Sequence, residues 1–188
     1  MILETIVTTQ DRDGRPHIAP MGVHVEKDAL LILPFRPSRT LDNLLATEVA
    51  VVNACDDVRI FAGCLTGRRN WPLAEAERID CPRLAAALSH TEVVLERFED
   101  DAVRPRFHCR PVHQAIHAPF AGFNRAQHAV LEAAILVSRL DRLPWEKIER
   151  ELAIHRSAVE KTAGPREREA WDWLMEKIRT HRRAVHGP

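Results

Sequence analysis

Arg36-Pro37-Ser38-Arg39-Thr40-Leu41-Asp42-Asn43-Leu44 is the stretch on which the fold turns, because it sets a short helix between two strand-patterned segments. Ser38 or Thr40 can cap that helix, which runs on through Leu41, Leu44 and Leu45. Before it, Ala29–Leu33 is a continuous apolar run, and after it Glu48–Asn53 reads E-V-A-V-V-N, so both flanks are strands. The segment also gathers two guanidiniums, two hydroxyls and a helix start. Free N–H groups at a helix N-terminus, hydroxyl donors and the Arg fork suit a phosphate, and plain capping with solvated arginines suits the same residues.

Working outward, Ile2–Thr9 is β-branched and ends at Asp11-Arg12-Asp13-Gly14, a turn with Gly where positive φ is needed. The return strand spans Pro16–Glu26, so three strands form a meander. Asp56-Asp57 opens a helical turn towards Phe61 and Leu65, and residues 66–82 read as a long irregular loop. Thr91–Glu99 and Arg104–Ile116 resume strand character, with Pro105 and Pro111 confining the second to an edge or a bulge. From Asn124 the period changes to 3.6, with Ala126, Val130, Ala133, Ala134 and Val137 on one face. Helical segments near Trp145–Leu152, Ser157–Thr162 and Arg166–Arg182 complete a β-rich α+β chain, barrel-forming strands first and helices after.

The 188 residues carry 27 Lys+Arg against 27 Asp+Glu, so any anion site is local and a whole-surface attraction to nucleic acid is disfavoured. Tyr is absent, which removes stacking platforms for single strands. No apolar run approaches the roughly 20 residues of a membrane helix, and no targeting segment is readable, so the expectation is a cytoplasmic protein without membrane contact. Cys55, Cys64, Cys81 and Cys109 show no C-x-x-C pair and read as reduced thiols. His108, Cys109, His113 and His117 suggest a metal, but Pro111 and the strand pattern oppose helical ligand spacing, and no metal is expected. No G-x-S-x-G elbow marks a hydrolase.

Three motifs, P-H-I-A-P-M-G-V at 16–23, R-P-S-R-T-L-D-N-L at 36–44 and A-V-V-N-A-C-D-D at 50–57, together resemble the FMN-binding split barrel of the flavin-reductase-like superfamily. With Phe123-Asn124-Arg125-Ala126, Glu132 and Ser138-Arg139-Leu140, the chain is similar to the domain-of-unknown-function 447 family over nearly its whole length. That resemblance implies a split β-barrel with a C-terminal α-helical extension, divided as a barrel domain at 1–118 and a helical domain at 119–188. It implies a homodimer holding FMN near the subunit interface, with the phosphate at Ser38, Thr40 and the helix start; the segment's own chemistry adds Arg36 as an anion ligand. Asn43 and Asn53 match positions that support the loop and cofactor. Pro20, Met21 and Gly22 lie on the strand beside the isoalloxazine, and His17 is a proton-donor candidate there. Leu41 stands where relatives often place an aromatic.

Asn124 and Arg125 open a buried helix, where polar residues are either caps or ligand contacts; as a ligand, Arg125 reaches the FMN phosphate or an anionic substrate. The functional readings are a flavin-dependent oxidoreductase, akin to a flavin reductase, acting on a small molecule, and a non-catalytic flavin-binding or interaction protein. Residues 145–162, read as two short helices around Ala153-Ile154-His155, leave a helix-turn-helix as a lesser alternative, which Glu146, Glu149, Glu151 and Glu160 oppose. No catalytic side chain is assigned, since hydride can pass directly between a stacked reductant and a flavin.

Overall fold

Asp11 begins the barrel: its carboxylate accepts the N–H groups of Asp13 and Arg15 at 3.0 and 2.9 Å, and Gly14 takes the φ of 75° that closes the turn. The computed structural model describes residues 1–186. The turn joins β1 (Ile2–Gln10) to β2 (Pro16–Val25), paired in continuous register from Ile2 opposite His24 to Gln10 opposite Pro16. β3 (Leu30–Ile32), β4 (Val49–Ala54), β7 (Ser89–Glu99) and β8 (Arg106–Ile116) complete a closed barrel in the order β1-β2-β3-β8-β7-β4, with β4 returning to β1. Closure leaves the barrel itself without an edge strand. Pro111 is therefore on a bulged strand and not an edge one: the register between β7 and β8 shifts between Glu92 and Val93, and again between Leu95 and Arg97.

The barrel core is Val7, Val23, Ile32, Ala50, Val52, Val93, Phe107 and Cys109, capped by Leu41 and Leu44 of helix α1 (Arg39–Thr47). The 66–82 stretch has more structure than the sequence predicts. β5 (Leu73–Ala74) pairs with β6 (Arg83–Leu84), and buried Glu92 accepts the backbone N–H groups of Glu77, Arg78 and Ile79 at 2.6, 2.8 and 3.0 Å. Burial works to raise the Glu92 pKa, but those three bonds and His90 hold it below the usual carboxylate range.

Among the described residues, the second compact unit comprises 56–70 and 121–186, so it includes a segment that a division at 118 places with the barrel. Helix α2 (Val58–Leu65) supplies Val58 and Ala62 to a core shared with α3 (Arg125–Val137), α4 (Trp145–Thr162) and α5 (Pro165–His186). Ala126, Ala129, Ala133 and Ala170 are fully buried in it, small enough to let helices approach closely. Asp57 caps α2 and binds Arg59 at 2.7 Å, and Arg59 reaches Glu169 of α5 at 3.3 Å. α4 is one continuous helix through Ala153-Ile154-His155-Arg156, so the turn that a helix-turn-helix needs is missing. Among the described residues no helix is long and apolar enough to cross a membrane.

Candidate functional site

The first turn of α1 presents open donors. Ser38, in extended backbone, accepts the Leu41 N–H on its Oγ at 3.2 Å, as an N-cap should. Asp42 N–H bonds Ser38 O, but the N–H groups of Arg39 and Thr40 have no protein acceptor among the described residues. Both carry the positive end of the helix dipole. The Arg39 side chain is exposed and makes no ion pair among the described residues. Thr40 faces inward and is buried, so its backbone N–H is aligned outward with the helix start while its side chain packs.

Arg36 behaves differently from Arg39. Its Nη2 lies 2.5 Å from Asp100 Oδ1, and its backbone N–H donates to Val103 O at 3.0 Å, tying the loop to the β7–β8 connection. The sequence names Arg36 as one anion ligand of the segment; among the described residues it is Arg39 that makes no ion pair at the helix start.

Behind α1, strand β1 carries a buried hydroxyl series that sequence reasoning missed. Thr9 Oγ1 accepts from Asn43 Nδ2 at 3.0 Å, Thr8 Oγ1 from Asn53 Nδ2 at 2.9 Å, and Thr5 Oγ1 donates to Met21 O at 2.9 Å. Asn53, fully buried, also donates to Ile6 O at 2.9 Å and accepts Leu84 N–H at 2.8 Å, so one side chain fastens β1, β4 and β6. The signal available was Thr8-Thr9: two adjacent polar β-branched residues break the alternation of a strand whose last six residues, from Thr5 to Gln10, are all buried. Asn43 and Asn53 thus brace the wall beneath α1.

Along β2, His17 pairs in register with Thr9, and Pro20 and Met21 are half-buried. A Cβ on Gly22 would stand 3.0 Å from Ile2 Cγ2 and 3.5 Å from Glu4 Oε1, so the missing side chain is what lets β1 side chains close over this strand. In the helical unit, Asn124 is a cap. Its Oδ1 accepts from Ala126 N at 2.7 Å and Gln127 N at 3.4 Å, and its Nδ2 donates to Thr162 O at 3.1 Å, joining the start of α3 to the end of α4. Arg125 beside it is exposed.

Nucleophilic chemistry has poor candidates. Burial pushes the Cys64 thiol up to about 11 and those of Cys81 and Cys109 up to about 12, and the cysteines form no disulfide. His108 faces Glu99 at 3.2 Å and Cys109 faces the barrel core, so these two neighbours share no centre.

Residues 3–118 match the family described as "Protein of unknown function (DUF447) N-terminal domain", and residues 124–176 match "Protein of unknown function (DUF447)". Among solved structures, the FMN-bound protein MM1853 of Methanosarcina mazei, of the same family, aligns at TM-score 0.80 and 20% identity over 94% of each chain. A flavin reductase from Haemophilus somnus, described as putative in its name, aligns at TM-score 0.53 and 18% identity over 62% of this chain and 80% of that one. The NADH:FAD oxidoreductase SgcE6 of Streptomyces globisporus aligns at 0.51 and 15% identity, over 62% and 77%. At these identities the likeness shows the split-barrel fold. No curated protein matches the chain.

Proposed function

The chain belongs to the DUF447 family, and from that premise we propose that it binds FMN at the α1 start and works as a flavin-dependent oxidoreductase on a small molecule. The observation that carries this reading is the open first turn of α1, with two uncommitted N–H groups, the Ser38 hydroxyl and the exposed Arg39 in one place. That donor set fits a phosphate monoester, and the FMN-bound family member of like fold supports the identity of the molecule that carries it.

Ser38, Arg39 and the backbone of Thr40 hold the phosphate in this reading. Asn43 on Thr9 and Asn53 on Thr8 keep the loop and wall rigid, so that phosphate binding orders little further chain. The half-buried 20–22 segment of β2 flanks the ring, with His17 further along the same strand. Bound flavin supplies two-electron chemistry at N5; the protein's share is orientation, shielding and hydrogen bonding at the ring edge. Arg36 is an outer cation for the phosphate; in the helical unit, Arg125, presented by the Asn124 cap of α3, is taken by itself as a candidate contact for an anionic substrate.

The same reading is of a cytoplasmic homodimer. Ile2 and Leu3 stand 55% and 44% exposed at the start of β1, ahead of exposed Glu4 and the six buried residues that follow, an apolar end suited to a second copy. The non-catalytic flavin-binding alternative differs only in having no donor or acceptor.

Titration with FMN, followed by flavin fluorescence and the visible spectrum, tests the site. Arg39→Ala and Ser38→Ala each weaken affinity about tenfold or more, as the loss of a charge-assisted phosphate contact should, while Arg36→Ala weakens it less. No FMN binding by the intact chain, or equal binding by all three variants, overturns the site. Anaerobic mixing of the loaded protein with nicotinamide and deazaflavin donors tests catalysis; a flavin that stays oxidised with each leaves the non-catalytic reading.

A further inference from the structure

On β7, His90 and Glu92 stand two residues apart and so share one face of the strand, and the ladder sets Glu92 directly opposite His113 of β8. Their ligand-type atoms all lie within 4.8 Å of one another. His90 Nε2 is 3.2 Å from Glu92 Oε1, and both side chains are wholly shielded from solvent. A fourth group comes from the strapped segment: Glu77 Oε2 lies 3.1 Å from His113 Nε2. His113 Nε2 is itself buried and makes no hydrogen bond, so at that distance the two groups are close but misaligned for one.

We propose that His90, Glu92, His113 and Glu77 form a structural zinc site that fastens the 71–84 segment to the barrel wall. Two imidazoles and two carboxylates are a borderline N,O set that suits zinc, and the pair of carboxylates balances a divalent charge. Zinc bonds of about 2.0–2.1 Å in tetrahedral array put neighbouring ligand atoms about 3.4 Å apart. The 3.2 and 3.1 Å separations are already near that spacing. Closing the remainder needs rotation of His113 and Glu77, whose side chains are 23% and 55% exposed and so have room to turn.

Glu92 has capacity for the metal. Its Oε1 accepts one backbone N–H, from Glu77 itself, and its Oε2 accepts the other two. The bond from Glu77 N–H holds the fourth ligand's own backbone against the second ligand, so loop and site are built together. Behind them, His90 Nδ1 lies 2.8 Å from His117 Nε2, with the two rings within 5° of parallel. When His90 Nδ1–H donates to His117, the Nε2 lone pair points at Glu92 Oε1. Two lone pairs then face each other at 3.2 Å, an arrangement that a cation between them relieves. Without metal the opposite tautomer, Nε2–H donating to Glu92, satisfies the pair, so metal entry moves one proton across the His90 ring.

Tag-free protein stripped by chelator and then titrated with zinc chloride against a chromophoric competitor should take up one zinc per chain with sub-micromolar affinity. His113→Ala and Glu77→Gln, chosen because both positions are partly exposed and checked for folding by far-UV circular dichroism, should each weaken uptake at least about tenfold. Cobalt(II) should give the intense visible bands of a four-coordinate N,O centre in the parent chain and lose them in His113→Ala. Zinc should also slow tryptic cleavage at Arg78 in the parent chain and not in Glu77→Gln. Absence of stoichiometric uptake, uptake unchanged in both variants, or a weak six-coordinate cobalt spectrum overturns the proposal. All readouts are taken without FMN, so they stand apart from the flavin reading.

Discussion

The barrel and the helical unit bury polar groups in opposite ways. In the barrel unit, Thr5, Thr8, Thr9, Asn43, Asn53, His90 and Glu92 are buried, and each is bonded to another strand, to helix α1, to a loop that crosses the wall or, for His90, to Glu92 beside it, while Asn43 reaches from α1 to β1. In the helical unit the buried polar residues among those described are Asp57 and Glu167, both at the opening of a helix, and the core is alanine and aliphatic with Trp171. A helix satisfies its own backbone and asks for help only at its ends. A barrel that holds irregular segments must reach out to their unpaired N–H groups with side chains, and so acquires an interior able to do chemistry.

The largest effect should come from the apolar part that both units share in kind. Phe107→Ala, at a fully buried site in the barrel core, should cost about 3–5 kcal/mol in denaturant unfolding. A loss below about 1 kcal/mol would mean that the barrel does not depend on its hydrophobic interior as described.

Asn53→Leu tests the polar half of the contrast. It strands the Leu84 N–H and the Ile6 carbonyl, and should cost about 1–3 kcal/mol and speed proteolysis between residues 71 and 84. A swap without effect would make the barrel's polar interior as dispensable as a surface.

Asp57 tests the helical half through pH. Burial acts to raise its pKa, but the hydrogen bonds and charge of Arg59, helped by Arg166, bring it below 3.8. The stabilisation is therefore full above the unfolded value and lost as pH falls through 3.8 and below. Asp57→Asn should cost about 1 kcal/mol near neutrality and nothing at the acid end, measured as the pH dependence of the thermal midpoint. A parallel offset at every pH would mean that the carboxylate's charge is idle.

The smallest effect belongs to Arg15→Ala. Its partners Asp11 and Asp13 are on an exposed turn, and the change should move stability by less than about 0.5 kcal/mol.

The same contrast explains what could be read before the structure. The Asp11–Gly14 hairpin, the Ser38 cap, β4 and the Asn124 start of α3 rest on neighbours in sequence, and each stands where the local pattern puts it. The allegiance of α2 to the C-terminal helices is a pairing across residues 66–124, and its apolar face looks the same whichever unit it covers. The meeting of His90 and Glu92 with His113 depends on strand register and a bulge after Glu92, which no spacing in the chain announces. In α4, Ala153-Ile154-His155-Arg156 reads as a break because its short-range hydrophobic rhythm falters, yet Ile148, Leu152 and Val159 keep a single buried stripe through it.

The detour of the chain through α2 bears on how the protein comes off the ribosome. The helix is synthesised midway through the barrel's strands, long before α3, α4 and α5 exist to cover Val58 and Ala62. For that interval a nascent barrel trails a sticky helix, and the last element made completes a unit begun in the first third of translation. A stop or cleavage near residue 118 therefore yields an aggregation-prone fragment instead of a free-standing half.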